Sequence, residues 1–241
     1  MIDIRQKTLI ILPHLDDEFA LTPLIEAMTK INTEITIIYC SERIVSKLEK
    51  QKQRRIDNKK ALKILGININ KIIYLNDYFS VSDNRLFKSS LQIYNFLKNF
   101  LDQNFYSQVF TLNFEGGHPD HDQLALIINK LSLFSNFKAF YFPAYNYRST
   151  AILPYSVLRP LKSQENYSKI IRFSRFCWFS VFKIAFIYST ERNAFTFLLP
   201  GLIYKAIFSK KLLYFDQIYI SSVNWVNSLS NKRYKINFKD L

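Results

Sequence analysis

The chain has 241 residues, room for one α/β domain with elaborations and too few for two large ones. Apolar residues make up 49% and charged residues 22%, which excludes wholesale disorder, and 4 glycines with 7 prolines exclude collagen-like or Gly-rich low-complexity chains. Lys and Arg number 33 against 19 Asp and Glu; the resulting +14 suits an anionic partner and also serves plain solubility.

Thr8 to Leu12 is a continuous run of β-branched residues and leucine, as in a strand buried on both faces. Glu18 to Thr29 places apolar residues at helical spacing, and Ile35 to Cys40 is a second buried strand. Ser46 to Leu65 reads as a long basic helix closed by Gly66, the residue type that ends helices in a left-handed turn. Lys71 to Leu75 is a short strand, Ser89 to Leu101 an amphipathic helix and Gln108 to Leu112 a strand. His121 to Phe134 is a helix with Leu124, Ile127, Ile128 and Leu131 on one face, and Lys138 to Phe142 is a further strand. This alternation predicts a three-layer Rossmann-like α/β fold, a mostly parallel sheet with helices on both faces, with residues 1–145 as the core.

Residues 146–241 read as a basic, aromatic-rich C-terminal elaboration of the same domain. Between Ala151 and Leu213 ten basic residues stand against Glu165 and Glu191. Cys40 and Cys177 are far apart and lack paired-Cys zinc spacing, so two reduced thiols are expected. Nothing after Met1 resembles a signal peptide. No uninterrupted apolar run reaches the ~18 residues of a spanning helix. Phe176 to Tyr188 contains Lys183, and Ala194 to Phe208 is broken by Pro200, Gly201 and Lys205. A cytoplasmic protein is expected. Peripheral contact with the inner face of a membrane stays open, because Arg172, Arg175 and Lys183 alternate with aromatics through Phe173 to Phe186.

All three histidines fall in two short clusters, each directly after an expected strand. The first is Pro13-His14-Leu15-Asp16-Asp17-Glu18, and the second is Gly116-Gly117-His118-Pro119-Asp120-His121-Asp122. Ligands of parallel α/β sheets bind at that carboxyl edge. A catalytic zinc takes about three N or O protein ligands and keeps an open position. His14 and Asp17, three residues apart, can turn toward one point, and His121 can supply a third ligand from the second loop. Asp16, beside Asp17, can serve as general base to a metal-activated water. His118 and Asp120 remain; a carboxylate-held imidazolium would stabilise a developing oxyanion.

The two motifs resemble those of the PIG-L/LmbE-like family of zinc-dependent N-acetylglucosamine-type deacetylases. The family's His-Pro-Asp-Asp-Glu is matched by His14, Asp16, Asp17 and Glu18, with Leu15 in place of proline. Its His-Pro-Asp-His is matched in full by His118 to His121. The resemblance implies an LmbE-like fold, with His14, Asp17 and His121 as ligands of zinc, for which iron can substitute. It also implies Asp16 as base and His118, partnered by Asp120, as stabiliser of the tetrahedral intermediate. Arg54, Asp57, Ala61 and Leu65-Gly66 fit a further family pattern, which would put Arg54 near substrate. Lys162 with Ser163-Gln164 looks like a later Lys…Ser-Gln signature. After the second strand, Cys40-Ser41-Glu42 stands where many relatives have Thr-Asp-Gly, in a loop that often faces the sugar.

The expected activity is removal of the N-acetyl group from a GlcNAc-type amino sugar, yielding free amine and acetate. The partner is then a small-molecule or glycolipid substrate. The basic C-terminal third favours a nucleotide-, phosphate- or lipid-linked sugar. A non-catalytic basic protein that binds nucleic acid or an anionic membrane is the alternative, and it leaves both motifs without a role. An HD-type phosphohydrolase needs more histidines than exist here, and the Thr-Phe-Asp-Asp signature of NodB-type deacetylases is absent.

Overall fold

The five apolar runs expected as strands pair into one parallel sheet. This was established in a computed structural model, which describes residues 2–42, 48–68, 71–146, 156–160, 169–172, 177–208 and 212–215. β1 (Thr8–Leu12) is central, with β2 (Ile35–Tyr39) and β3 (Ile72–Tyr74) on one side. β4 (Gln108–Leu112) and β5 (Lys138–Phe142) lie on the other, giving the order β3-β2-β1-β4-β5. Thr8 pairs with Ile35 on one side and with Gln108 on the other.

Every residue of β1, β2 and β4 is buried, because helices cover both faces of the sheet. Alternate residues serve different layers. Ile10 and Leu12, with Tyr39 and Phe110, pack under α1 (Thr22–Thr29), α2 (Leu48–Ile64), α5 (Cys177–Ile187) and α6 (Arg192–Phe208). Leu9 and Ile11, with Ile38 and Val109, meet α3 (Ser90–Gln103) and α4 (Pro119–Ser132). The chain moves outward from β1 through β2 to β3, then crosses back to β4 beside β1. The crevice beyond the carboxyl ends of β1 and β4 is therefore the topological switch point. Both histidine clusters leave from those two adjacent strands.

Two helix starts differ from the sequence expectation. Residues Asp17–Leu21 form a 3₁₀ turn, and α1 begins only at Thr22. An α-helix running back to Glu18 would ask Pro23 for an N–H that it lacks; the Thr22 N–H bonds the Phe19 carbonyl instead. α4 starts at Pro119 rather than His121, because the His118 side chain caps it and proline suits the first helical position.

In the C-terminal part, α5 and α6 sink Trp178, Val181, Ile184 and Leu202 into the same core layer as β1. Two short antiparallel pairs flank them: Tyr145–Asn146 with Ser156–Val157, and Lys169–Arg172 with Leu212–Phe215. Cys40 is a buried free thiol. Lys162, Ser163, Gln164, Phe173, Arg175 and the Cys177 side chain lie outside the described residues. No helix among the described residues is long and apolar enough to cross a membrane.

Lys205, on the inner face of α6, is 1% exposed and donates to the Leu158 carbonyl. Burial and then the Arg159 charge hold its amine well below the ordinary 10.5, against the pull of Glu115. Below 10.5 the unfolded chain binds this proton more readily than the folded one, so the group makes stability rise with pH up to that value. Lys205→Met is expected to flatten the rise. Its melting temperature should exceed the parent's most at low pH, with the gap closing as pH climbs. A gap independent of pH would show that Lys205 does not titrate on folding.

Candidate metal centre and active site

The first histidine loop closes on itself. Beyond β1 the His14 backbone N–H donates to Asp17 Oδ2 at 2.9 Å, and His14 Nδ1 lies 3.1 Å from the same oxygen. The second loop is wound by Asp122, whose Oδ1 accepts from the N–H groups of Glu115 (2.8 Å) and Gly116 (3.1 Å). Gly116 adopts φ +67°, a conformation that favours glycine. Gly117 is fixed by space: a Cβ there would lie 2.1 Å from the Tyr145 carbonyl oxygen. Gly117→Ala is expected to destabilise the fold by roughly 1–3 kcal/mol and to lower turnover, because relief of that clash must displace the loop that carries His118. Denaturant midpoints and initial rates would register it, and an unchanged variant would show that the loop yields freely.

These loops gather the three imidazoles. Ring centroids lie 4.7 Å apart for His14–His118, 5.0 Å for His118–His121 and 5.4 Å for His14–His121. Asp17 sits between two of them, with Oδ2 on His14 and Oδ1 3.2 Å from His121 Nε2. His14 Nε2 is met by two further carboxylates, Asp83 at 3.0 Å and Asp120 at 3.1 Å. Asp83 comes from the stretch between β3 and α3 and was not singled out from the sequence. The available signal was its neighbour: Asp-Asn pairs mark turns, and Asn84 takes φ +62°.

Burial alone would push the His14 pKa down, but Asp83 and Asp17 outweigh it and hold the ring well above 6.5. Burial likewise pushes Asp17 up, and His121 with His14 hold it well below the carboxylate range instead. His118 goes the other way. Burial, then the charges of His14 and His121, press it down to about 3, so it is neutral at physiological pH.

In the structure the expected Asp120–His118 pair meets through the Asp120 backbone, while its carboxylate is engaged elsewhere. The Asp120 carboxylate accepts from the N–H groups of Asn84 (2.7 Å) and Leu86 (3.1 Å) and touches His14, so it ties the Asp83 loop to α4. His118 meets the Asp120 backbone instead, with Nδ1 accepting its N–H at 3.2 Å. A neutral His118 that accepts at Nδ1 carries its proton on Nε2. From there it can donate into the cavity that it lines.

The donor set fits a divalent metal. Nitrogen and oxygen ligands of tetrahedral zinc sit about 3.3 Å apart, and the contacts of Asp17 with His14 and His121 are 3.1 and 3.2 Å. His121 Nε2 and Asp83 Oδ1 are buried atoms that face an ionic neighbour, Asp17 at 3.2 Å and His14 at 3.0 Å, without a well-aligned hydrogen bond. Two clusters have ligand atoms within 4.8 Å of one another: His14/His118/His121, and His14/Asp83/His118/Asp120. Asp17 belongs to neither, each of its oxygens being engaged by one imidazole.

A cavity of about 370 Å³ opens over this cluster. Asp16 lines it and accepts from Arg54 Nη2 at 2.8 Å, while Arg54 Nε lies 3.5 Å from Glu191. Arg54 thus lines the cavity with its guanidinium on the expected base. Asp57, the acid three residues on, accepts from the Ser189 N–H and hydroxyl and so holds the turn that carries Glu191. Phe19, Ala194, Phe195, Phe197 and Leu198 form an apolar wall. Ser41 and Glu42 do not line the cavity; Glu42 binds Gln51 and Arg55 of α2.

Residues 9–131 match the protein-family profile described as PIG-L: GlcNAc-PI de-N-acetylase. Among solved structures, N,N′-diacetylchitobiose deacetylase from Pyrococcus horikoshii aligns with a TM-score of 0.64 at 16% identity, over 89% of this chain and 84% of that one. The A40926 pseudoaglycone deacetylase aligns with a TM-score of 0.60 at 13% identity, over 89% and 98%. The zinc-inhibited form of teicoplanin deacetylase aligns with a TM-score of 0.57 at 10% identity, over 87% and 96%. At such identities the likeness concerns the fold, and the expected α/β class of LmbE-like deacetylases stands. No curated protein sequence matches the chain.

Proposed function

Because the chain belongs to the PIG-L family, we propose that it is a metal-dependent amidase that removes the acetyl group from an N-acetylated amino sugar. The observation that carries this reading is the convergence of His14, Asp16, Asp17, His118 and His121 at the switch point, under a cavity of sugar-like size. The deacetylase names of the structural relatives support it.

His14, Asp17 and His121 would hold the metal, and this nitrogen and oxygen set suits zinc, with iron a second fit. When bound, such an ion supplies a Lewis acid and a water acidified toward neutrality. Asp16 takes the proton of the attacking water, and Arg54 keeps that carboxylate in place. The water oxygen bonds to the acetyl carbon, and the His118 Nε2–H donates to the carbonyl oxygen as charge builds there. The C–N bond then breaks. The proton held by Asp16 passes to the departing nitrogen, leaving free amine and acetate.

Asp83 and Asn84 face the same cavity and can receive sugar hydroxyls. Among the described residues that line it, Arg54 is the sole Lys or Arg, and it is engaged by Asp16 and Glu191. Four carboxylates, those of Asp16, Asp17, Asp83 and Glu191, share the lining. A neutral sugar on an apolar or lipid carrier therefore fits better than a nucleotide inside the cavity. Mass spectrometry of a panel of acetylated amino sugars, free and lipid-linked, with and without chelator, tests this. A mass loss of one acetyl group that chelator abolishes is expected; no loss from any member would overturn the proposal.

A further inference from the structure

The C-terminal helices carry an apolar surface for which the reaction above has no use. α6 buries Phe195, Leu198 and Leu202 against the core but leaves Phe197 (67%), Tyr204 (43%), Ile207 (54%) and Phe208 (68%) exposed. With exposed Pro200 between them, these positions recur at three- and four-residue steps and form one stripe along the helix. No charge interrupts it: from Asn193 to Phe208 the sole charged residue is Lys205, which is buried. A helix apolar on both faces belongs under cover. The stripe begins at the cavity, whose wall includes Ala194 and Phe197. α5, packed against α6, also exposes Phe179 and Phe186, with exposed Lys183 between them.

Charge selects the occupant. Apart from the buried Lys205, the sequence from Lys169 to Phe215 holds seven basic residues, with Lys183 and Arg192 exposed on the two helices, and one acidic residue, Glu191. Glu191 lies in the cavity wall, paired with Arg54. Nucleic acid would answer the charge and leave the aliphatic part of the stripe wet. An anionic bilayer answers both, taking apolar side chains at the acyl boundary and basic ones at the headgroups. We propose that α6 lays its stripe, Phe197 to Phe208, on an anionic membrane surface, so that the cavity mouth opens at the lipid headgroups. This deepens the deacetylase reading and rests on it for its purpose: an acetylated amino sugar on a lipid anchor enters from the membrane side.

Co-flotation of the intact protein with phosphatidylcholine/phosphatidylglycerol vesicles, beside pure phosphatidylcholine vesicles, tests the contact. Binding to the mixed vesicles should be at least about tenfold stronger. The triple substitution Tyr204→Ser, Ile207→Ser, Phe208→Ser should weaken it about tenfold or more. That variant should keep the parent's melting temperature and its rate on a soluble acetylated sugar. Three results would overturn the contact: no binding by the parent, equal binding by parent and variant, or a parent dimer that the variant cannot form. Soluble-sugar hydrolysis in the same samples separates the two claims. Flotation without acetate release would sink the deacetylase reading and spare the surface, and the reverse would sink the surface alone.

Discussion

Asp16→Asn is expected to lower turnover about 10²–10⁴-fold while the protein keeps its metal. The substitution is nearly isosteric, and the asparagine oxygen can still accept the 2.8 Å hydrogen bond from Arg54 Nη2. The new side chain cannot take up a proton, so the loss falls on the chemical step. Arg54, only 4% exposed, loses one of its two carboxylate partners and keeps Glu191. Some loss of stability follows from a buried cation less well compensated, and a lower melting temperature would report it separately from kcat. Asp83, half-buried, 3.0 Å from His14 Nε2 and in the same cavity lining, is another carboxylate that could serve as base. A variant with parental turnover would transfer the role away from Asp16.

His121→Ala is expected to empty the site, with metal content falling well below one equivalent and activity falling with it by about 10³-fold or more. The contrast with His118→Ala makes the test specific. His118 has Nδ1 occupied by the Asp120 N–H, and in the proposed mechanism it acts as a donor from Nε2 and not as a ligand. Its removal should slow the reaction and leave metal in place. The imidazoles of His14, His118 and His121 all lie within mutual ligand distance, so this outcome is not forced by proximity. Metal analysis of the two variants side by side decides it. If His118→Ala loses the metal and His121→Ala keeps it, the ligand assignment is reversed.

Much of this molecule was legible in its sequence because strands buried on both faces read as unbroken apolar runs. Thr8–Leu12, Gln108–Leu112 and Lys138–Phe142 are observed at the expected bounds. The two motifs were legible because chemistry-bearing residues are packed into a few positions right after strands. What escaped was set by contacts between distant loops. Asp83 reaches His14 only because Asp120 accepts the backbone N–H groups of Asn84 and Leu86 and pulls that loop onto α4. The same engagement takes the Asp120 carboxylate away from His118, against expectation. Spacing in one loop cannot reveal that another loop competes for its carboxylate. The early 3₁₀ turn at Asp17 depends on one proline, a signal present in the sequence but outweighed there by helical periodicity. The apolar cavity wall from α6 went unforeseen because Ala194 to Phe208 is apolar all round, leaving no periodicity to say which side faces the site.

Hydrolysis of an acetylated amino sugar in ¹⁸O-enriched water, by protein stripped of metal and then resupplied with zinc or iron(II), tests the central claim most directly. The mass of the acetate released is the readout. Acetate heavier by one ¹⁸O atom, formed by the resupplied protein and absent from the stripped one, is the predicted result. Acetate released equally well without metal, or carrying no label from the solvent, would contradict a metal-dependent attack of water on the acetyl carbon.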